Sequence, residues 1–115
     1  MTSQTAHSLT WEDDIYAIGL VNDYAVAYGI LRGWDAGFSI PSLGVAVSPD
    51  VRRYGLGRVM IEYLHACARL RDCKHVRLKV YPHNKRAKDF YTKLGYEWKP
   101  DLEAGQFVGL LDISR

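Results

Sequence analysis

Cysteine is scarce in this chain. Cys67 and Cys73 are its two cysteines, six positions apart, and they form no CxxC pair. Neither a zinc site nor a disulfide framework follows from that spacing, and no metal is expected. Long apolar runs are lacking too. None approaches the roughly 18 residues that span a bilayer, so no membrane partner is expected. Residues 1–10 are polar (Thr2, Ser3, Gln4, Thr5, His7, Ser8) without an apolar signal core, which makes the cytoplasm the default location. An excess of one charge is also missing: 15 Lys and Arg against 13 Asp and Glu leave a net +2. That is too little to imply a nucleic-acid partner by itself. Repeats and low-complexity segments are absent.

What is present fits one ordinary globular domain. At 115 residues, with 48% apolar and 24% charged residues, the chain can bury a single core with little to spare. Residues 1–11 read as a flexible lead-in and 12–115 as the domain. The positive charge is grouped. Arg52, Arg53 and Arg58 form one cluster, and Lys85, Arg86 and Lys88 form another. Such groups either flank a small polyanion or are solvated faces.

Hydrophobic periodicity sets the elements. Ile15–Leu20 and Tyr24–Leu31 are apolar and β-prone around Val21-Asn22-Asp23, which predicts a hairpin. The glycine-bounded loop Gly33-Trp34-Asp35-Ala36-Gly37 leads to a third strand over 38–47, where Pro41 argues for an edge position or a bulge. A helix is expected over about 55–71. Its apolar stripe is Leu56, Val59, Met60, Tyr63, Leu64, Cys67 and Leu70, with Arg58, Glu62, His65 and Arg69 opposite. Cys67 on that stripe reads as a small buried hydrophobe.

His75–Tyr81 alternates, with Val76, Leu78 and Val80 on one side, and Pro82 stops it. A short helix over 84–94 follows, with Gly95 just past its C-cap, and 96–99 and 106–113 close the chain as two strands. The order β-β-β-α-β-α-β-β predicts an α/β (α+β) fold. Its sheet is mixed, mostly antiparallel and twisted, around one right-handed parallel β-α-β crossover.

The stretch Val45-Ala46-Val47-Ser48-Pro49-Asp50-Val51-Arg52-Arg53-Tyr54-Gly55-Leu56-Gly57-Arg58 carries the chemistry. A strand runs through a glycine-bearing turn directly into a long helix. Amides at a helix start have no intrahelical partner, and the helix dipole favours negative charge there. Gly55 and Gly57 leave room for a phosphate, and Arg52, Arg53 and Arg58 can add charge-assisted bonds. GxxxxGK[ST] is absent, since Arg58-Val59 follows the second glycine. GxGxxG is absent because Met60 takes the place of its third glycine. Nucleoside triphosphates and nicotinamide dinucleotides are therefore disfavoured as ligands.

Hydrophobic strand, then Arg52-Arg53-Tyr54-Gly55-Leu56-Gly57, then amphipathic helix resembles the cofactor signature of the GNAT superfamily of acyl-CoA-dependent N-acyltransferases. A second signature of that family is matched by Asn84-Lys85-Arg86-Ala87-Lys88-Asp89-Phe90-Tyr91-Thr92-Lys93-Leu94-Gly95-Tyr96. The joint resemblance covers roughly residues 13–113, and it implies a GNAT fold and transfer of an acetyl group from acetyl-CoA to a primary amine. By the same resemblance, backbone groups of Val45 and Val47 pair with the pantetheine arm. Amides of Arg53, Tyr54, Gly55, Leu56, Gly57 and Arg58 hold the pyrophosphate, with charge from Arg52 and Arg53. Asn84 bonds the pantetheine or phosphate side. Tyr91 sits near the thioester sulfur as general acid, although its place on a helical stripe alone favours a core aromatic.

The base is open. Residues 38–47 contain no Asp or Glu, which leaves Asp35, Glu12, His83 and Tyr81, or a water chain serving an amine of modest pKa. Trp34, Asp35 and Tyr81 are the acceptor-side candidates, with Arg32 and Phe38 beside the same loop. The acceptor class spans small amines, amino sugars and protein amino groups. Family members usually open with a strand and one or two helices before the hairpin, whereas about a dozen polar residues stand there in this chain. The exposed sheet this implies predicts a homo-oligomer, most simply a dimer. A CoA-binding module without catalysis is the main alternative, as is a domain completed by a partner chain. A nucleic-acid domain lacks interleaved aromatic and basic residues, although Arg77, Lys79 and Tyr81 come near.

Overall fold

A computed structural model describes residues 13–101 and 105–114. The expected lead-in 1–11, Glu12 and the middle of the last turn lie outside the described residues. The elements run β1 (Ile15–Val21), β2 (Tyr24–Arg32), β3 (Ser42–Val47), α1 (Leu56–Leu70), β4 (His75–Val80), α2 (Lys85–Lys93), β5 (Glu97–Asp101) and β6 (Gln106–Asp112). They form one six-stranded sheet in the order β1-β2-β3-β4-β6-β5. Every neighbouring pair is antiparallel except β3 and β4. This is the mixed fold that the pattern of elements predicts. No helix among the described residues is long and apolar enough to cross a membrane.

Local chemistry explains the joints. Asn22 and Asp23 hold φ values of 49° and 68°, so β1 and β2 meet in a tight two-residue turn with both central residues left-handed. Asn and Asp tolerate that region best among residues with a Cβ. The third strand starts at Ser42 rather than 38. Gly33 accepts amides from Ala36 and Phe38, so the chain is still turning there and cannot enter a ladder. Pro41 therefore precedes the strand, and β3 is internal to the sheet instead of an edge. Its carbonyl accepts from Arg77 N at 3.0 Å. Between β3 and α1 the expected turn is a 3-10 helix, Pro49–Tyr54, with Pro at its start, where a missing N–H costs nothing.

Helix α1 crosses β2 and β3. A Cβ on Gly29 would lie 2.7 Å from Met60 Sδ and 2.8 Å from Leu64 Cδ1, so the glycine lets the helix seat closely on the sheet. The register pairs Leu31 with Leu43 and Gly29 with Val45, and these residues share the helix-covered face with Val76, Leu78 and Val80. Its buried residues are Met60, Ile61, Leu64, His65 and Ala68. The stripe is thus rotated from the expected one: Val59 and Leu70 are exposed, and His65, expected on the solvent side, is 6% exposed. Tyr96 and Ile113 cover that flank, a tertiary neighbour that helical periodicity cannot reveal. Burial of each such aliphatic side chain contributes about 1.5–3 kcal/mol.

Helix α2 lies on the same face of the sheet, with Lys88 Nζ 3.9 Å from the Phe107 ring centroid. The opposite face carries no helix among the described residues. There Tyr16, Ile18 and Tyr28 are 44–45% exposed.

Candidate functional site

Strands β3 and β4 share a single rung, Ser42 with Arg77, and then diverge. Antiparallel neighbours hold both strands elsewhere, so the gap between them opens toward their C-terminal ends. Residues of one parity in a strand turn their amides and carbonyls to the same side. Pro41 O bonds Arg77 across the gap, and Val47 O accepts from Arg52 Nε at 3.3 Å rather than from a strand. Val45, of the same parity, also faces the gap. The backbone edge Val45–Val47 is therefore presented to an extended ligand, and its side chains pack partly against the core.

At the open end stands the start of α1. Gly55, with φ 78°, is its N-cap, no side chain caps the helix, and no acidic residue stands in its first turn. Gly55 is exposed, and a Cβ on it would meet nothing within 4 Å among the described residues. Gly57 differs: a Cβ there would make ordinary contact with Val47 Cγ2 at 3.5 Å. Arg52, Arg53 and Tyr54 are exposed around this end. Arg58 reaches along the helix to Glu62 at 2.8 Å, an exposed pair of small energetic weight. Uncapped donors, a dipole and surrounding guanidinium groups are features that could hold a phosphate-bearing ligand. Together with the strand edge they fit a pyrophosphate followed by an extended amide-bearing arm, the chemistry of CoA.

Tyr91 lies on α2, partly buried, and burial raises its pKa, so the phenol is a neutral donor at physiological pH. Its ring meets Phe90 and Tyr96 edge to face, each at 5.4 Å between centroids. Tyr96 in turn bonds His65 through its hydroxyl, 2.7 Å from Nε2. Burial, with Arg69 adding to it, lowers the His65 pKa to about 4, and Glu62 opposes the shift. Burial pushes the Tyr96 phenol far above its usual value, and Tyr91 reinforces that. A neutral imidazole thus pairs with a neutral phenol, and the pair buttresses the Tyr91 ring. Sequence reasoning did not single out this pair; a histidine directly after Leu64 and four residues after Ile61 was the available signal.

The remaining candidates divide by end of the sheet. Asn84 stands at the open end and caps α2, its Oδ1 accepting from Ala87 N at 3.2 Å. Tyr81 follows β4 at the same end, exposed and stacked on His83 with 5.7 Å between centroids. Trp34 and Asp35 are at the other end, beyond the start of β3, and the structure does not bring them to the cradle. Trp34 is partly buried under Arg71, whose guanidinium carbon is 4.6 Å from the ring centroid. Asp35 accepts from the amides of Asp13 and Asp14, while Asp14 Oδ1 accepts from Gly33 and Asp35. This reciprocal clasp fastens the loop to the start of β1.

Comparison with known proteins agrees with this geometry. Among solved structures, the ribosomal-protein-S18-alanine N-acetyltransferase from Escherichia coli superposes with TM-score 0.74 at 24% identity, covering 97% of this chain and 77% of the other. The PaiA N-acetyltransferase from Thermoplasma acidophilum in complex with coenzyme A gives 0.80 at 14%, covering 93% and 65%. The GNAT domain of S. lividans PAT gives 0.76 at 17%, covering 97% and 69%. At these identities the likeness is one of fold. A search of curated protein sequences finds no match. The family model for the acetyltransferase (GNAT) family matches residues 2–96, most of the chain, and the protein belongs to that family.

Proposed function

We propose that the protein is an N-acetyltransferase that moves an acetyl group from acetyl-CoA to a primary amine by direct attack in a ternary complex. The observation that carries this is the diverging β3–β4 edge leading to the uncapped, basic start of α1. Acetyl-CoA supplies an activated thioester when bound. In this reading the Val45 and Val47 backbones align its arm, and the amides from Arg53 to Arg58 hold its pyrophosphate. Arg52 exchanges its bond to Val47 O for the phosphates, and Asn84 contributes from the start of α2. Tyr91 donates its proton to the departing sulfur, and the phenolate recovers a proton from solvent. A water chain removes the amine proton, because β3 itself carries no carboxylate.

The acceptor is a small amine, an amino sugar or a protein amino group, met on the helix-free face, with Tyr81 near the open end. The bare apolar strip of Tyr16, Ile18 and Tyr28 supports association into a homo-oligomer, most simply a dimer. Release of CoA thiol from acetyl-CoA, followed across a panel of amines, tests the reaction. Acetylation of at least one amine, abolished by heat, is expected. Tight CoA binding without turnover of any amine would favour a non-catalytic CoA module instead.

A further inference from the structure

The rung where the gap closes has a chemical character of its own on the helix-free face. Register places Arg32 of β2 opposite Ser42 of β3, and Ser42 opposite Arg77 of β4. Paired residues project to the same side, so the two guanidinium groups flank one hydroxyl across adjacent strands. With strands about 4.8 Å apart, the two arginine backbones stand about 10 Å apart. Among the described residues neither arginine has an ion-pair partner. Leu110, next in the row on β6, separates Arg77 from Glu97 of β5. Arg77 Nε is buried and has no hydrogen-bond partner among the described residues. Orphaned donors of that kind are rare, and the burial of Nε leaves the terminal nitrogens of Arg77 as the donors a ligand can reach.

We infer that Arg77, with Ser42 and Arg32, is the subsite that recognises a carboxylate carried by the amine acceptor. The inference rests on the acetyl-transfer reading for the direction of approach. The donor arm enters from the open end and points toward the closing rung, and α1 and α2 occupy one face of the sheet. The acceptor then arrives on the other face, where this row lies. From Val47 back to Ser42 the strand spans about 17 Å, so the row stands beyond the inner end of the gap, ahead of an arm laid along it. The terminal edge of a guanidinium presents two parallel donors that match the two oxygens of one carboxylate, and the Ser42 hydroxyl is the adjacent donor. The acceptor class narrows to amines that also bear a carboxylate, such as an amino acid or a chain-terminal peptide unit.

Calorimetry on the full chain in the presence of CoA separates this from the catalytic reading. The probes are N-acetylglycine, a product-like carboxylate, its neutral amide N-acetylglycinamide, and phosphoethanolamine. The acid should bind at least tenfold more tightly than the amide, and more tightly than the phosphate ester. Arg77→Gln should abolish the difference between acid and amide, and Arg77→Lys, which keeps the charge but loses the fork, should remove most of it. Unchanged circular dichroism spectra certify that both variants are folded. Equal affinity for acid and amide in the wild type, stronger binding of the phosphate ester, or full acid preference in a folded Arg77→Gln would each overturn the inference. Acid preference without acetylation of any amine would overturn the catalytic reading and leave the carboxylate subsite standing.

Discussion

Tyr91 is where the chemistry is most exposed to test. Its partly buried phenol is held between Phe90 and the Tyr96–His65 pair and stays protonated across the neutral range. A general acid contributes about 10²–10⁴-fold, so Tyr91→Phe should lower kcat by about 10² while the Kd for acetyl-CoA changes little. Stopped-flow turnover beside calorimetry checks this; an equal loss in both would make Tyr91 a packing residue. The raised pKa also fixes a sign: any fall in activity from ionisation of Tyr91 must lie above its usual value near 10. Gly55 is the second informative residue. At φ 78° with open space beyond a Cβ, Gly55→Ala meets only backbone strain, about 1–2 kcal/mol, read as a lowered urea midpoint. No loss would mean that the turn relaxes.

Helix α1 shows what sequence can and cannot say about an element. Its span and its amphipathic character were legible, because period 3.6 and the glycines before it are local signals. Its rotation was not. Val59 and Leu70 match the period yet face solvent, while His65 is buried because Tyr96, 31 residues on, covers it. Strand β4 was legible for the same local reason, the alternation of Val76, Leu78 and Val80. The start of β3 was misplaced because apolar Phe38 and Ile40 mimic a strand while Gly33 and Gly37 keep the chain turning.

The buried histidine has a stability consequence. Its pKa falls from 6.5 to about 4 on folding, so the unfolded chain binds the extra proton between those values. The contribution, about 3 kcal/mol, is full above pH 6.5 and is lost as pH drops toward 4. His65→Gln should flatten this part of the stability profile in urea titrations. Parallel profiles for the two proteins would refute the assignment. The close seat of the same helix predicts that Gly29→Ala destabilises by about 1–3 kcal/mol through overpacking against Met60 and Leu64.

At the scale of the molecule, the strand–turn–helix of the proposed cradle was legible because it lies in one continuous stretch, Val45–Arg58. The diverging strand pair was not, since a gap between β3 and β4 depends on what β2 and β6 hold in place. The row of Arg32, Ser42 and Arg77 was not legible, because only strand register brings these residues together, and the contacts that hold Trp34 and Asp35 are equally distant in sequence. The bare strip on β1 and β2 predicts concentration-dependent association, which light scattering over a hundredfold dilution reads directly. A monomer throughout would overturn the predicted association.

The account depends most on the claim that the β3–α1 junction holds CoA. Calorimetry of acetyl-CoA against the wild type and Gly57→Glu tests it most directly, because the new side chain starts in ordinary contact with Val47 and carries negative charge into the cradle. The account predicts binding by the wild type and at least a tenfold loss in the variant. A folded wild type that does not bind acetyl-CoA, or a variant that binds it equally well, would contradict it.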